Sequence, residues 1–204
     1  MRRIINTTAA LVLVLALAGL SGCLEDRETE IVLNDENCET FEEDQTSENF
    51  TTPRVIGIGE ELEQLLADND ASREDILEAH LVSVSYEVTE FLQDHGWELS
   101  GTITVERLDI TGSPDTLVIY DTLTVSEAIV GEKTYVELHP EGVATIEQAM
   151  ADFIAGGYPI LRITIMNGEV DPSPSVADPI DFTWEFCLFI QVISTLETEI
   201  LQVF

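Results

Sequence analysis

Apolar and polar residues alternate along much of this chain, and the period says which segments are strands. Val82, Val84, Tyr86 and Val88 interleave with Ser83, Ser85 and Glu87. Successive strand side chains point to opposite faces, so a period of two marks a half-buried strand. Trp97, Leu99, Ile103 and Val105 alternate in the same way with Glu98, Ser100, Thr102 and Thr104. Asp94-His95-Gly96 between the two runs reads as a turn, so they are expected to pair as a hairpin. Leu117 to Val125 and Lys133 to Leu138 give a third and a fourth strand, the latter carrying the β-favouring Thr134, Tyr135 and Val136. Pro159 to Met166 is a further strand, expected to end at an Asn167-Gly168 turn. Ile180 to Ile193 is the longest: Phe182, Trp184, Phe186, Leu188, Ile190 and Val192 share one face, with Cys187 on the other. Val55, Ile56 and Ile58 form a short apolar run, and the tail from Leu196 to Phe204 reads as a final strand.

The helical period appears in fewer places. Ile146, Ala149, Met150, Phe153 and Ile154 fall on one helix face between Pro140, suited to a first turn, and the Gly156-Gly157 stop. Glu60 to Ala67 places Leu62, Leu65 and Leu66 on one face. Ser72 with Asp75 makes a capping box that predicts another helical turn or two. The expected fold is therefore mainly β: a β-sandwich of about seven strands, with one clear helix near 140–155 and short helices near 60–79. An immunoglobulin-like arrangement is one form of it. The alternative is an α+β sheet with the 140–155 helix packed on one face. Trp97 and Trp184 are assigned to the core.

The first residues follow a different logic. Arg2 and Arg3 precede an unbroken apolar run from Ala9 to Leu20, 12 residues long, which is short of the roughly 20 needed to span a bilayer. The run ends in Leu20-Ser21-Gly22-Cys23, which resembles the lipobox of bacterial lipoproteins. That resemblance covers residues 1–23 only. It implies a signal peptide over 1–22, cleavage before Cys23, acyl chains on Cys23, and a membrane attachment made stable by several chains. The expected location is the bacterial cell envelope. Leu24 stands where an aspartate would resemble an inner-membrane retention signal, so the outer membrane is favoured. Residues 23–53 are expected to be the lipidated cysteine followed by an acidic tether. It holds eleven acids and a single apolar cluster, Ile31-Val32-Leu33, so little independent structure is predicted, except that a Cys38–Cys187 bridge would let Ile31 to Leu33 pair as an edge strand. Residues 54–204 are expected to fold as one β-rich domain.

Charge narrows the possible partners. Forty acidic residues face eight basic ones, a formal charge of −32. Such a surface repels phosphate backbones, so nucleic acid is excluded as a partner. It also repels itself, so salt should stabilise the fold. The acids are spread along the chain, which fits the composition of a protein from a saline habitat better than a dedicated cation site. With Cys23 lipidated, Cys38 and Cys187 remain, and export to an oxidising compartment predicts a Cys38–Cys187 disulfide.

Candidate chemistry is sparse. No P-loop, Gly-x-Ser-x-Gly elbow, His-Glu-x-x-His or zinc-spaced cysteine pair occurs, and the dinucleotide-like Gly57-Ile58-Gly59 has Leu62 at the third glycine position. His80, His95 and His139 are well separated and read as surface or structural residues. The best metal candidate is calcium at Asp68, Asp70 and Asp75, with Asn69 and Ser72. Arg73 occupies the glycine position an EF-hand needs and Ala79 its twelfth, so a helix-breaking turn explains the segment better. Asn34 to Asn37 is weaker still. No catalytic residue and no cofactor is assigned, and the chain is expected not to be an enzyme. The expected role is a binding or interaction module at the envelope, with envelope proteins as candidate partners. Its rivals are a carboxylate-dependent secreted hydrolase and a structural spacer without a ligand.

Overall fold

The computed structural model describes the backbone of residues 24–201, with side chains from 30 to 195. The lipidation candidate Cys23, and the signal peptide before it, lie outside the described residues. Val32–Ser194 forms one compact unit, and the described residues 24–31 and 195–201 fall outside it.

Eight strands build two four-stranded sheets. In chain order the elements are β1 (Leu24–Gln45), β2 (Phe50–Ile56), helix α1 (Ile58–Asp68), β3 (Ile76–Phe91), β4 (Trp97–Arg107), β5 (Asp115–Val125), β6 (Lys133–Tyr135), helix α2 (Pro140–Ile154), β7 (Leu161–Asp171) and β8 (Ile180–Leu201). One sheet has the order β1-β8-β3-β6 and the other β2-β7-β4-β5. The partners are nested, first with eighth, second with seventh, third with sixth and fourth with fifth. That is the connectivity of an eight-stranded jelly roll. The expected β-sandwich is present; its strand order is that of the jelly roll rather than the immunoglobulin-like form.

The period-two pattern places the core between the sheets. Phe182, Trp184, Phe186, Leu188, Ile190 and Val192 on β8 are all buried and face Leu99, Ile103 and Val105 of β4 and Ile163 and Ile165 of β7, buried likewise. Trp97 and Trp184 are 0% and 2% exposed, as expected of core residues.

Several local expectations are corrected. Strands β3 and β4 do not form a hairpin. Both edges of β3 are taken, by β8 and β6, while β4 lies in the other sheet between β5 and β7. Residues 92–96 therefore cross between the sheets. Asn167-Gly168 is no turn but part of β7, opposite a register irregularity at Ser100 and Gly101 of β4. The Ser72–Asp75 capping box forms, with the Asp75 carboxylate accepting from the Ser72 amide (2.8 Å) and hydroxyl (2.6 Å). It caps only one 3₁₀ turn, Arg73–Asp75, because Ile76 is already paired with Ser194 of β8.

The largest correction concerns residues 24–45, read as tether and found as strand β1. Its sequence looked unable to fold because acids fill both faces. The inward positions Leu33, Phe41 and Glu43 are nevertheless buried. Long-range bonds supply what local composition lacks: Gln191 donates to Asn34 (3.2 Å), and Cys38 is disulfide-bonded to Cys187 across β1 and β8. The expected bridge is thus present.

Helix α2 packs against β3, β4 and β5. Of its predicted apolar face, Ile146, Ala149, Met150 and Phe153 are fully buried and Ile154 is half-buried. Gly142 is required by this docking: a Cβ there would stand 2.5 Å from the Leu117 Cα and 2.6 Å from the Thr116 carbonyl oxygen. At the C-terminal end of the helix, Arg73 donates to the Gly157 carbonyl (3.4 Å) and lies 4.0 Å over the Phe153 ring and 4.6 Å over the Tyr158 ring.

Candidate functional site

On one side of the sandwich the edge strands are β6 and β5. The chain after β6 spans from one sheet to the other: the Val136 amide donates to the Val84 carbonyl on β3, and Leu138 bridges to Val118 on β5. Beneath this span lies a pocket of about 180 Å³. Tyr86, Tyr120 and Trp184 line it with Ile103, Val118, Leu123 and Val136, and the Thr122 and Thr134 hydroxyl-bearing side chains complete the lining. No charged side chain lines it. An apolar cavity of roughly 150 Å³ is enough to hold a benzene-sized molecule.

The aromatic walls are fixed from behind. The Trp184 indole N–H donates to Oε1 of Glu43 (3.3 Å), and the other carboxylate oxygen accepts from the Thr52 hydroxyl on β2 (2.9 Å). The Trp184 ring also meets Phe41, Phe182 and Tyr86 at centroid distances of 6.1, 5.9 and 6.0 Å. On the opposite sheet the Tyr120 hydroxyl donates to Oδ1 of Asn167 (3.1 Å), whose amide nitrogen donates to the Glu48 and Glu169 carbonyls. Gly101 leaves the space Tyr120 needs, since a Cβ there would collide with the Met166 carbonyl and the tyrosine hydroxyl.

Glu43 is the unusual member. It is 1% exposed, the buried acid among the described residues of β1. Burial pushes its carboxyl above the usual carboxylate range, and the bonds from Thr52 and Trp184 pull partly against that shift. Tyr120 is pushed up as well, first by burial and then by the charge of Glu43. Sequence reading missed both. Glu43 was one acid among eleven in an apparent tether, and only a strand assignment to residues 24–45 would have shown that it points inward.

The calcium candidates are not assembled. Asp68 accepts from Gln64 on its own helix (2.7 Å), Asp70 sits at a positive φ of 54°, and Asp75 serves the capping box, which holds its carboxyl below the usual range. Among the described residues the three-group cluster with ligand atoms within 4.8 Å of one another is Glu36, Cys38 and Cys187. Its two sulfurs are bonded to each other, so they offer no thiolate. The histidines are dispersed. His80 lies beside Glu78 and Glu147, which raise its proton affinity, mainly through the Glu78 hydrogen bond. His95 packs on Trp97 near Asp178, and His139 precedes α2.

No protein-family model matches the chain, and no curated protein matches it. Among solved structures, one titled for Desmodium yellow mottle tymovirus is similar at 13% identity and a TM-score of 0.35, covering 85% of this chain and 91% of that one. A likeness that weak carries no argument about function. Among the described residues no helix is long and apolar enough to cross a membrane.

Proposed function

We propose that this chain is a lipid-anchored envelope protein whose jelly roll is a binding module for a small, largely apolar ligand. The anchor rests on the lipobox-like Leu20-Ser21-Gly22-Cys23, with Cys23 as the attachment point. One observation carries the binding role. The pocket under the 133–138 span is lined by aromatic and aliphatic side chains, and the polar atoms of Trp184 and Tyr120 are already satisfied by Glu43 and Asn167, so its lining is mostly carbon. A spacer has no need of such a site. The hydrolase reading would need a raised carboxyl in an open cleft beside a second one. The raised carboxyl here, Glu43, is sealed between the sheets and held by a hydroxyl and an indole.

The test uses the full chain, expressed with its own leader and solubilised in mild detergent. A ligand-observed NMR screen of single-ring and short-chain fragments should return binders that shift the Trp184 indole resonance. A Thr134→Trp variant, which fills the mouth, should lose them. Fragments that bind equally well to that variant, or no binders at all, would remove this function. Separately, Cys23→Ala should release the protein from the membrane fraction, and retention there would refute the anchor.

A further inference from the structure

Resting on the reading of the inter-sheet pocket as a ligand site, we infer that its ligand is a small alkylated ammonium cation. Three features converge. Tyr86, Tyr120 and Trp184 all line the pocket, with the half-buried Tyr86 packed edge to face on Trp184 at 70°. Ring faces carry negative electrostatic potential and attract cations, most strongly where water is excluded. Second, the Glu43 carboxylate accepts the Trp184 indole proton, which makes that ring more electron-rich when the carboxyl is ionised. Glu43 is close enough to Tyr120 for its charge to act there too. Third, the chain carries −32 and no basic side chain lines the pocket, so an organic anion is repelled from it.

The same lining selects among cations. Sodium, potassium and a primary ammonium need hydrogen-bond acceptors or retained water, and beyond the threonine hydroxyls the pocket offers carbon. A methylated ammonium has its charge spread over apolar methyl groups and sheds water at less cost. The pocket volume of about 180 Å³ suits such a head group or a single ring.

The experiment compares choline with its uncharged isostere 3,3-dimethylbutan-1-ol on the full chain. Binding is followed by the Trp184 indole shift and by calorimetry at constant ionic strength, with sodium chloride as the balancing salt. Choline should bind about thirtyfold more tightly than the alcohol, the size of a water-excluded cation–π contact. Tyr86→Leu, at a half-buried position that tolerates an apolar side chain, should erase that preference. Glu43→Gln should reduce it, and choline affinity should rise with pH in the parent but not in that variant. Equal or tighter binding of the alcohol would overturn the cation assignment while leaving a ligand site in place. A preference that survives in both Tyr86→Leu and Glu43→Gln would overturn it too, by placing the cation elsewhere on the acidic surface. Failure of both compounds together with an empty fragment screen would remove the binding function itself.

Discussion

Replacing Cys38 and Cys187 by serine tests how β1 is held in the fold. The cysteines lie 149 residues apart, so the bridge closes almost the whole described chain. Loop-closure entropy for that length makes the bridge worth about 5 kcal/mol against the unfolded state. Typical domains are stable by about 5–15 kcal/mol, so the loss is a large share of the total. The bond also ties the chain's most acidic strand to β8, which buries more apolar side chains than any other strand. The double serine variant, unfolded in urea at fixed ionic strength, should show a midpoint lower by at least about 1 M for a slope of about 1–3 kcal/mol per molar. Hydrogen exchange separates global from local loss. If the bridge acts on the whole fold, amides of Ile163 and Ile165 on β7 accelerate with those of Phe41 and Glu43. If β1 alone peels away, only the latter do. A midpoint within about 0.3 M of the parent, with an unchanged slope, would refute the entropic reasoning, which requires a loop of this length to matter.

Four further outcomes follow from the packing. Because the folded state raises the Glu43 pKa, its contribution to stability is complete below the unfolded value near 4.5 and is lost as pH rises through the folded one. Melting temperatures of the parent minus those of Glu43→Gln should therefore fall between pH 4 and pH 8, and parallel curves would refute this. Arg107, 7% exposed and bound to both Asp109 and Asp152, ties β4 to α2, so Arg107→Ala should cost about 2–4 kcal/mol in chemical denaturation. Gly142→Ala forces α2 off the β5 backbone and should lower stability by about 1–3 kcal/mol, read from the same assay. Sodium chloride should raise the melting midpoint of a chain with 40 acidic residues, and a flat or falling series would contradict the self-repulsion argument.

The sequence was legible where one face of an element meets the core and the other meets water. The period of two in Trp97–Val105 and the helical stripe from Ile146 to Ile154 located β4 and α2 to within a few residues, and that in Val82–Val88 marked the middle of β3, whose start at Ile76 falls where helix was expected. It was illegible where partners are distant. Which strands pair is decided by edge availability, so the Asp94-His95-Gly96 turn was mistaken for a hairpin when it crosses between sheets. Asn167-Gly168 has the composition of a turn, yet Asn167 is 5% exposed because its amide bonds Tyr120 and two backbone carbonyls. Strand β1 was hidden by its charge, and with it the inward Glu43. The pocket walls Tyr86, Tyr120 and Trp184 come from β3, β5 and β8, three strands with no sequence signal linking them. The pairing of Cys38 with Cys187 was accessible because arithmetic left two cysteines and export implied oxidation.

The few cations show how so acidic a chain folds at all. Each basic side chain among the described residues joins segments far apart in sequence. Arg54 of β2 donates to the Thr40 carbonyl on β1 and lies 5.2 Å over the Phe41 ring. Arg73 joins Glu63 of α1 to the C-terminal end of α2. Arg107 joins β4 to α2, Lys133 of β6 reaches Glu36 of β1 at 2.6 Å, and Arg162 of β7 meets Glu106 of β4. An exposed ion pair taken alone is worth little. Here, though, attraction is scarce and repulsion general, so a cation placed between two distant segments offsets like-charge contacts on both. Among the described residues positive charge thus serves as cross-links between segments. This also bears on the pocket. Every described cation is held in such a tie and none lines the pocket, where the buried carboxyl behind Trp184 is Glu43, itself within the field of Arg54. The charge that keeps the chain apart is then the same charge that would draw an organic cation to the aromatic rings.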